Sequence, residues 1–424
     1  MKNNSRYISN LIHSLKEAGD VIFLESQMPE HPASTKSFIA AKPSAYIKAY
    51  GDKVVIYEDG SEKKFKTNPW EALKKFKNKH ADWMFGYFGY DLKNYIEDLQ
   101  SDNESLNQAA DLFFMVPGLL IEIDTKNQTR ILKGNVPSVN SENKAVGYRV
   151  KLKHRIEEPA YTKLLKKAQQ DIYEGEYYEI NLSHPLEFTF TGNSFDLYEA
   201  MRAAGPVPFG GYASIGDISI CCASPERFLA RDGSKVWSQP IKGTVSRDDN
   251  THTNGLEVLR SSDKEKAENL MIVDLVRNDL SKIAKKNTVK VSNLFEIQSF
   301  ETVHQMVSTV ECEVDNTIDN IDLIKACFPM GSMTGAPKIA SMQAIEKYED
   351  YKRGIYSGAL GYFKPNNDFD FNVLIRTAII EEQKLVYPVG GAITSDSDPK
   401  AEWEETLIKA RAITNLLDHS KKPE

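Results

Sequence analysis

The stretch GGYASIGDISICCASPERFLARDGSKVWSQPIKGT, residues 210–244, decides the fold. Apolar β-formers recur along it between turn residues, so it reads as several successive strands with no helix between them. Working outward, a helix over 161–175 and the strand-like YYEINLSHPLEF (177–188) precede it, and a long helix, SDKEKAENLMIVDLVRNDLSKIAKK (262–286), follows. Then come the strand-rich segment 289–314, a helix around 321–327, the loop FPMGSMTGAPK (328–338) and a helix to residue 349. YSGALGYF, DFNVLIRTAII and KLVYPVGGAI add strands, and the helix AEWEETLIKARAITNLLDH ends the pattern. Strands and helices come in mixed order without a βαβ rhythm, which predicts an α+β architecture rather than a doubly wound parallel sheet. Residues 1–135 read as a strand-rich first part with one helix, NPWEALKKFKNKH, and residues 155–420 as the larger second part. The polar, turn-rich segment 125–147 is the crossover between them.

Composition narrows the classes of function. The chain has 424 residues, 41% hydrophobic and 27% charged, with a net charge of -7 and no basic run, which speaks against a nucleic-acid partner. An anionic substrate stays open, because the local field of a cleft outweighs the total charge. The four cysteines (Cys221, Cys222, Cys312 and Cys327) have no metal-binding spacing and fit a reducing compartment. The first residues are polar and lack the apolar core of a secretory signal, and no stretch approaches the ~18 apolar residues of a membrane span. These features predict a cytoplasmic protein.

Several residues stand out against this background. Lys242 sits between Ile241 and a Gly-Thr pair, a poor place for a lysine unless its amine has a task. Glu265 and Glu268 share one helical face, although Ser262-x-x-Glu265 also reads as a capping box. A second pair, Glu402 and Glu405, follows Asp398 as a helix cap and Pro399 at the first helical position, with Lys409 one turn on. Two such helices could converge on a hard cation such as Mg²⁺, yet acidic helix starts are also common for dipole reasons. The loop 328–338 offers Gly331, Ser332, Thr334 and Gly335 to an anion, but Lys338 falls outside the spacing of a phosphate loop. Arg376 lies in the apolar run VLIRTAII and needs either an internal acid or a carboxylate ligand. His304, in FETVHQMVSTV, fits a buried strand histidine or a general acid–base group.

Together YYEINLS, SPERF, PIKGT, ENLMIVDLVRNDL, VHQMVSTV, GSMTGAPKIASM, RGIYSGALGYF, IRTAII and SDSDPKAEWEETLIKA resemble the chorismate-utilising enzymes. That family includes anthranilate synthase component I, aminodeoxychorismate synthase component I, isochorismate synthase and salicylate synthase. The resemblance is dense over 155–420 and thinner before it, where FLES (23–26) is similar to a segment forming a tryptophan pocket in some relatives. It implies two stacked, mainly antiparallel sheets surrounded by helices, with chorismate as substrate and Mg²⁺ as cofactor. It implies Glu265, Glu268, Glu402 and Glu405 as the metal shell. Gly243, Thr244, Ser332, Tyr356, Arg376, Gly390, Gly391 and Lys409 become chorismate contacts, and His304 the residue beside the leaving or attacking group. One departure is Ala392, where relatives often carry a third glycine.

The same resemblance gives Lys242 its task. Relatives that make anthranilate or isochorismate carry PIAGT, whereas PIKGT is similar to the branch that aminates chorismate at C4. There the lysine attacks C2, so that ammonia enters at C4, and Lys242 is expected to be neutral at attack through a lowered pKa. No cysteine has the setting of a class I glutaminase nucleophile, so ammonia is expected from a separate glutaminase subunit.

Overall fold

The computed structural model describes residues 2–28, 31, 36–138, 146–246, 252–299 and 303–417. The architecture is α+β: among these residues 21 strands join in one hydrogen-bonded antiparallel network, and a short parallel pair (Glu104–Ser105 with Tyr351–Lys352) stands apart. The stretch 210–244 does fold as successive antiparallel strands: Phe209–Ile215, Ile218–Ser224, Arg227–Asp232, Lys235–Gln239 and Ile241–Ser246.

The two-residue period of a strand sorts side chains between two cores. In Lys36–Tyr50, Phe38 and Ala40 enter the largest core while Ile39 and Ala41 enter a second one. In Ile218–Ser224, Ile218, Ile220 and Cys222 face the first core, and Cys221 and Ala223 the second. Helices Lys2–Ala18, Ser194–Ala204 and Pro399–Thr414 cover the second core. The first part is stitched into the same network, since Val21–Glu25 pairs with Phe209–Ile215 and Met84–Phe88 with Ala359–Phe363.

Helix ends follow the expected chemistry. Asn68 accepts from the Trp70 and Glu71 amides ahead of Pro69, and Asp398 accepts from those of Lys400 and Ala401 ahead of Pro399. The amino-terminal segment, read above only as polar, is a helix whose Ile8, Leu11, Ile12 and Leu15 form a buried stripe. The expected helix over 262–286 ends sooner, at Ser281, and a separate helix, His252–Ser261, precedes it. No helix among the described residues is long and apolar enough to cross a membrane.

Candidate functional site

A cleft of about 1030 Å³, solvent at its mouth included, gathers most of the singled-out residues. Lys242 reaches it through backbone irregularity. Opposite the strand Val303–Glu313, Ile241 pairs with Val307 and Thr244 with Gln305, so Lys242 and Gly243 are bulged. Gly243 has φ 84°, and a Cβ there would lie 2.8 Å from Glu265 Oε2, so only glycine suits this corner. The bulge delivers Lys242, 8% exposed, to Glu179, 0% exposed, with Nζ donating to Oε1 over 2.7 Å.

This pairing corrects the expectation of a lowered lysine pKa. Burial does push the amine toward neutrality, but Glu179, Glu268 and Glu405 outweigh it and raise the pKa above its ordinary value. In this state Lys242 is an ammonium.

The two carboxylate pairs face the same cleft from the first two turns of helices Asp263–Ser281 and Pro399–Thr414. Ser262 Oγ accepts from the Glu265 amide, so the capping reading and the cleft reading hold together. Burial raises the pKa of Glu268 to about 7, and burial followed by the charge of Glu405 raises those of Glu265 and Glu402. Lys409, 2.6 Å from Glu405 Oε1, lowers that of Glu405. Lys264 stands between the pairs, 3.8 Å from Glu268 and 3.6 Å from Glu402. The four acids are not drawn into a tight cluster. Among the described residues, the one group of three potential ligands within 4.8 Å is His13, Asp196 and Glu199, away from the cleft.

Arg376, expected inside a strand, lies in the break between Phe369–Val373 and Thr377–Glu381 with φ 49°. That turn brings the half-buried guanidinium to the cleft wall, where no described side chain accepts a hydrogen bond from it. Ser332, Tyr356 and Gly390 also line the cleft, and so does Ala392. A Cβ on Gly390 would lie 2.5 Å from the Leu182 carbonyl, while one on Gly391 would point toward Glu402 and Lys409. Lys409 Nζ donates to the Gly390 carbonyl over 2.8 Å. The Thr244 backbone pairs with Gln305, and its side chain lies outside the described residues.

His304 is buried but does not line this cleft. Its Nδ1 lies 2.8 Å from Ser299 Oγ, and the neighbouring Gln305 is the cleft residue, because adjacent side chains of a strand point to opposite faces.

Two acids emerge that the sequence reading left unassigned. Glu226, in the SPERF corner, accepts from Ser332 Oγ over 2.6 Å, and burial raises its pKa to about 7. Glu179, first residue of the strand Glu179–Gly192, is the Lys242 partner. Lys338, considered above for a phosphate, instead ties the loop to Asp279 and to the Cys327 and Pro329 carbonyls.

A brace behind the cleft fixes its backbone. Arg353 donates to both Glu349 oxygens and to the carbonyls of Met333 and Asn181, while Ser183 donates to Glu349 from its amide and hydroxyl. Arg353→Ala strands the buried Glu349 carboxylate and is expected to destabilise the fold by about 3–5 kcal/mol, read as a lowered denaturant midpoint.

The aminodeoxychorismate synthase of Streptomyces griseus is 40% identical over 272 residues, 63% of this chain and 37% of that one. The chain thus spans about a third of the length of that relative and of the rice enzyme described as a probable aminodeoxychorismate synthase, where it covers 34%. The anthranilate synthase component 1 of Aquifex aeolicus is 31% identical over 449 residues, covering 95% of this chain and 90% of that one. Anthranilate synthase component I from Streptococcus pneumoniae TIGR4 superposes with a TM-score of 0.78 at 26% identity, over 91% and 93% of the two chains. The profile of the chorismate binding enzymes matches residues 19–415, and the chain belongs to that family.

Proposed function

We propose that this protein aminates chorismate at C4 with ammonia from a separate glutaminase subunit, releasing 4-amino-4-deoxychorismate. The observation that carries the reading is Lys242, a buried amine delivered by a bulge into the cleft lined by Arg376, Lys409 and the glutamate pairs. Chorismate is a dicarboxylate, and the two cations suit its carboxylates: Arg376 as a planar fork, Lys409 as a point charge. The similarity to named aminodeoxychorismate synthases supports the same reading.

Glu265, Glu268, Glu402 and Glu405 would hold Mg²⁺. Their donors are all hard oxygens, and Glu268 Oε1 is buried with no hydrogen-bond partner among the described residues. When bound, the ion supplies positive charge to a substrate carboxylate and eases departure of the C4 hydroxyl. The chain's own residues divide the remaining work. Glu226, protonated up to about pH 7, would give a proton to the departing hydroxyl. Lys242 forms a bond to C2, ammonia then adds at C4, and the C2–N bond to the lysine breaks.

Incubation with chorismate, ammonium and Mg²⁺ tests the proposal. The expected product is an aminated chorismate that a downstream lyase converts to 4-aminobenzoate. Fluorescent anthranilate, or isochorismate formed without ammonia, would overturn it in favour of the corresponding activity of the family.

A further inference from the structure

We infer that Glu179 is the proton acceptor for Lys242, taking a proton from the ammonium before the amine attacks and returning it once the amine is expelled. The inference rests on the amination reading above.

Geometry separates this pair from a structural ion pair. Glu349 shows what the latter looks like here: its two oxygens accept from Arg353 twice, from the Ser183 amide and from the Ser183 hydroxyl. Glu179 is buried as deeply, yet its Oε1 accepts from Lys242 and its Oε2 has no hydrogen-bond partner among the described residues. Its second oxygen is thus open to a proton, and moving one across from Lys242 discharges both buried groups at once. Among the described residues Glu179 is also the one hydrogen-bond acceptor on Lys242 Nζ. Solvent is remote from the exchange, since the two side chains are 9% and 0% exposed.

The backbone holds Glu179 for this role. It pairs with Ala336, and Ser341 Oγ donates to its carbonyl over 3.0 Å. Tyr178 beside it is 69% exposed, so the pleat turns residue 179 inward.

The cycle closes in atoms and charge. Lys242–NH₃⁺ and Glu179–COO⁻ become Lys242–NH₂ and Glu179–COOH. The amine forms a bond to C2, the ring double bonds shift, and the C4 hydroxyl leaves as water with a proton from a second acid. The lysine nitrogen is then a secondary ammonium. Ammonia adds at C4 to give a C4–NH₃⁺ group, the double bonds shift back, and Lys242 leaves as the neutral amine. Glu179 returns its proton to Lys242, the second acid regains one from solvent, and the resting state is restored.

The test compares wild type, Glu179→Gln and Glu179→Asp in single turnovers with chorismate and Mg²⁺, without ammonia. Substrate dissociation constants are measured alongside, and adduct is read as a mass gain on the Lys242 peptide. The amide of Glu179→Gln still accepts the Nζ–H bond but takes no proton at neutral pH. Adduct formation is expected to slow on the order of 10²-fold, with chorismate binding within a few-fold of wild type. Glu179→Asp, a shorter carboxylate, is expected to recover part of that loss, and it keeps the test alive if the Gln variant does not fold. Equal adduct rates in wild type and Glu179→Gln would overturn the inference alone. Absence of adduct in wild type would overturn the covalent amination reading and the inference with it.

Discussion

Lys242→Ala is expected to abolish C4 amination with ammonia as donor, by at least about a thousandfold, since removal of a covalent nucleophile typically has effects of that order or larger. The structure makes the variant demanding, because it leaves Glu179 buried without its 2.7 Å donor. Breaking such a pair destabilises by about 3–5 kcal/mol. Lys242→Gln is therefore the companion variant: its amide can still donate toward Glu179, yet it does not form the bond to C2. The measurement is product formation by mass from chorismate and ammonium, with thermal melting to establish that each variant is folded. Turnover near the wild-type rate in the folded Gln variant would remove Lys242 from the chemistry. A switch of product to anthranilate would leave the cleft assignment standing and show that the lysine governs the position of amination.

Glu268→Gln is expected to give the second-largest effect. Glu268 is buried, its Oε1 has no hydrogen-bond partner among the described residues, and its neighbours include Glu265 and the cation Lys264. Exchanging its carboxylate for an amide removes one charge from the proposed Mg²⁺ shell. Mg²⁺ affinity is expected to fall by more than the roughly 10–100-fold typical of an outer partner of a metal ligand. Calorimetric titration of Mg²⁺ reads this directly, and the metal dependence of turnover follows. Glu405→Gln tests the second helix in the same way. A wild-type titration in both variants would place the ion elsewhere.

Much of this site was legible in the sequence, and the gaps have physical causes. Three-residue spacing put each glutamate pair on one helical face, and the caps at Ser262 and Asp398 fixed where those faces begin. Long-range register was the obstacle for Glu179 and Glu226. Both sit in recognisable motifs, YYEINLS and SPERF, but nothing local reveals that one meets Lys242 and the other Ser332. His304 and Gln305 differ by a single step of strand phase, which a sequence reading does not fix. Arg376 reads as a strand residue because its neighbours are β-formers, whereas its own left-handed backbone interrupts that strand. The stripe Ile8, Leu11, Ile12 and Leu15 was present at helical spacing, masked by the polar average of the segment around it.

The bulge at Lys242 and Gly243 makes the direction of the Lys242 amine depend on a count of residues as much as on their identity. A substitution elsewhere in the two strands leaves that count intact. Deleting one residue between Pro240 and Thr244 would restore an even ladder and carry the amine to the far side of the sheet, composition almost untouched. Chain length over these few positions is thus the feature least free to drift, and lineages that vary here should do so by exchange, never by insertion or loss.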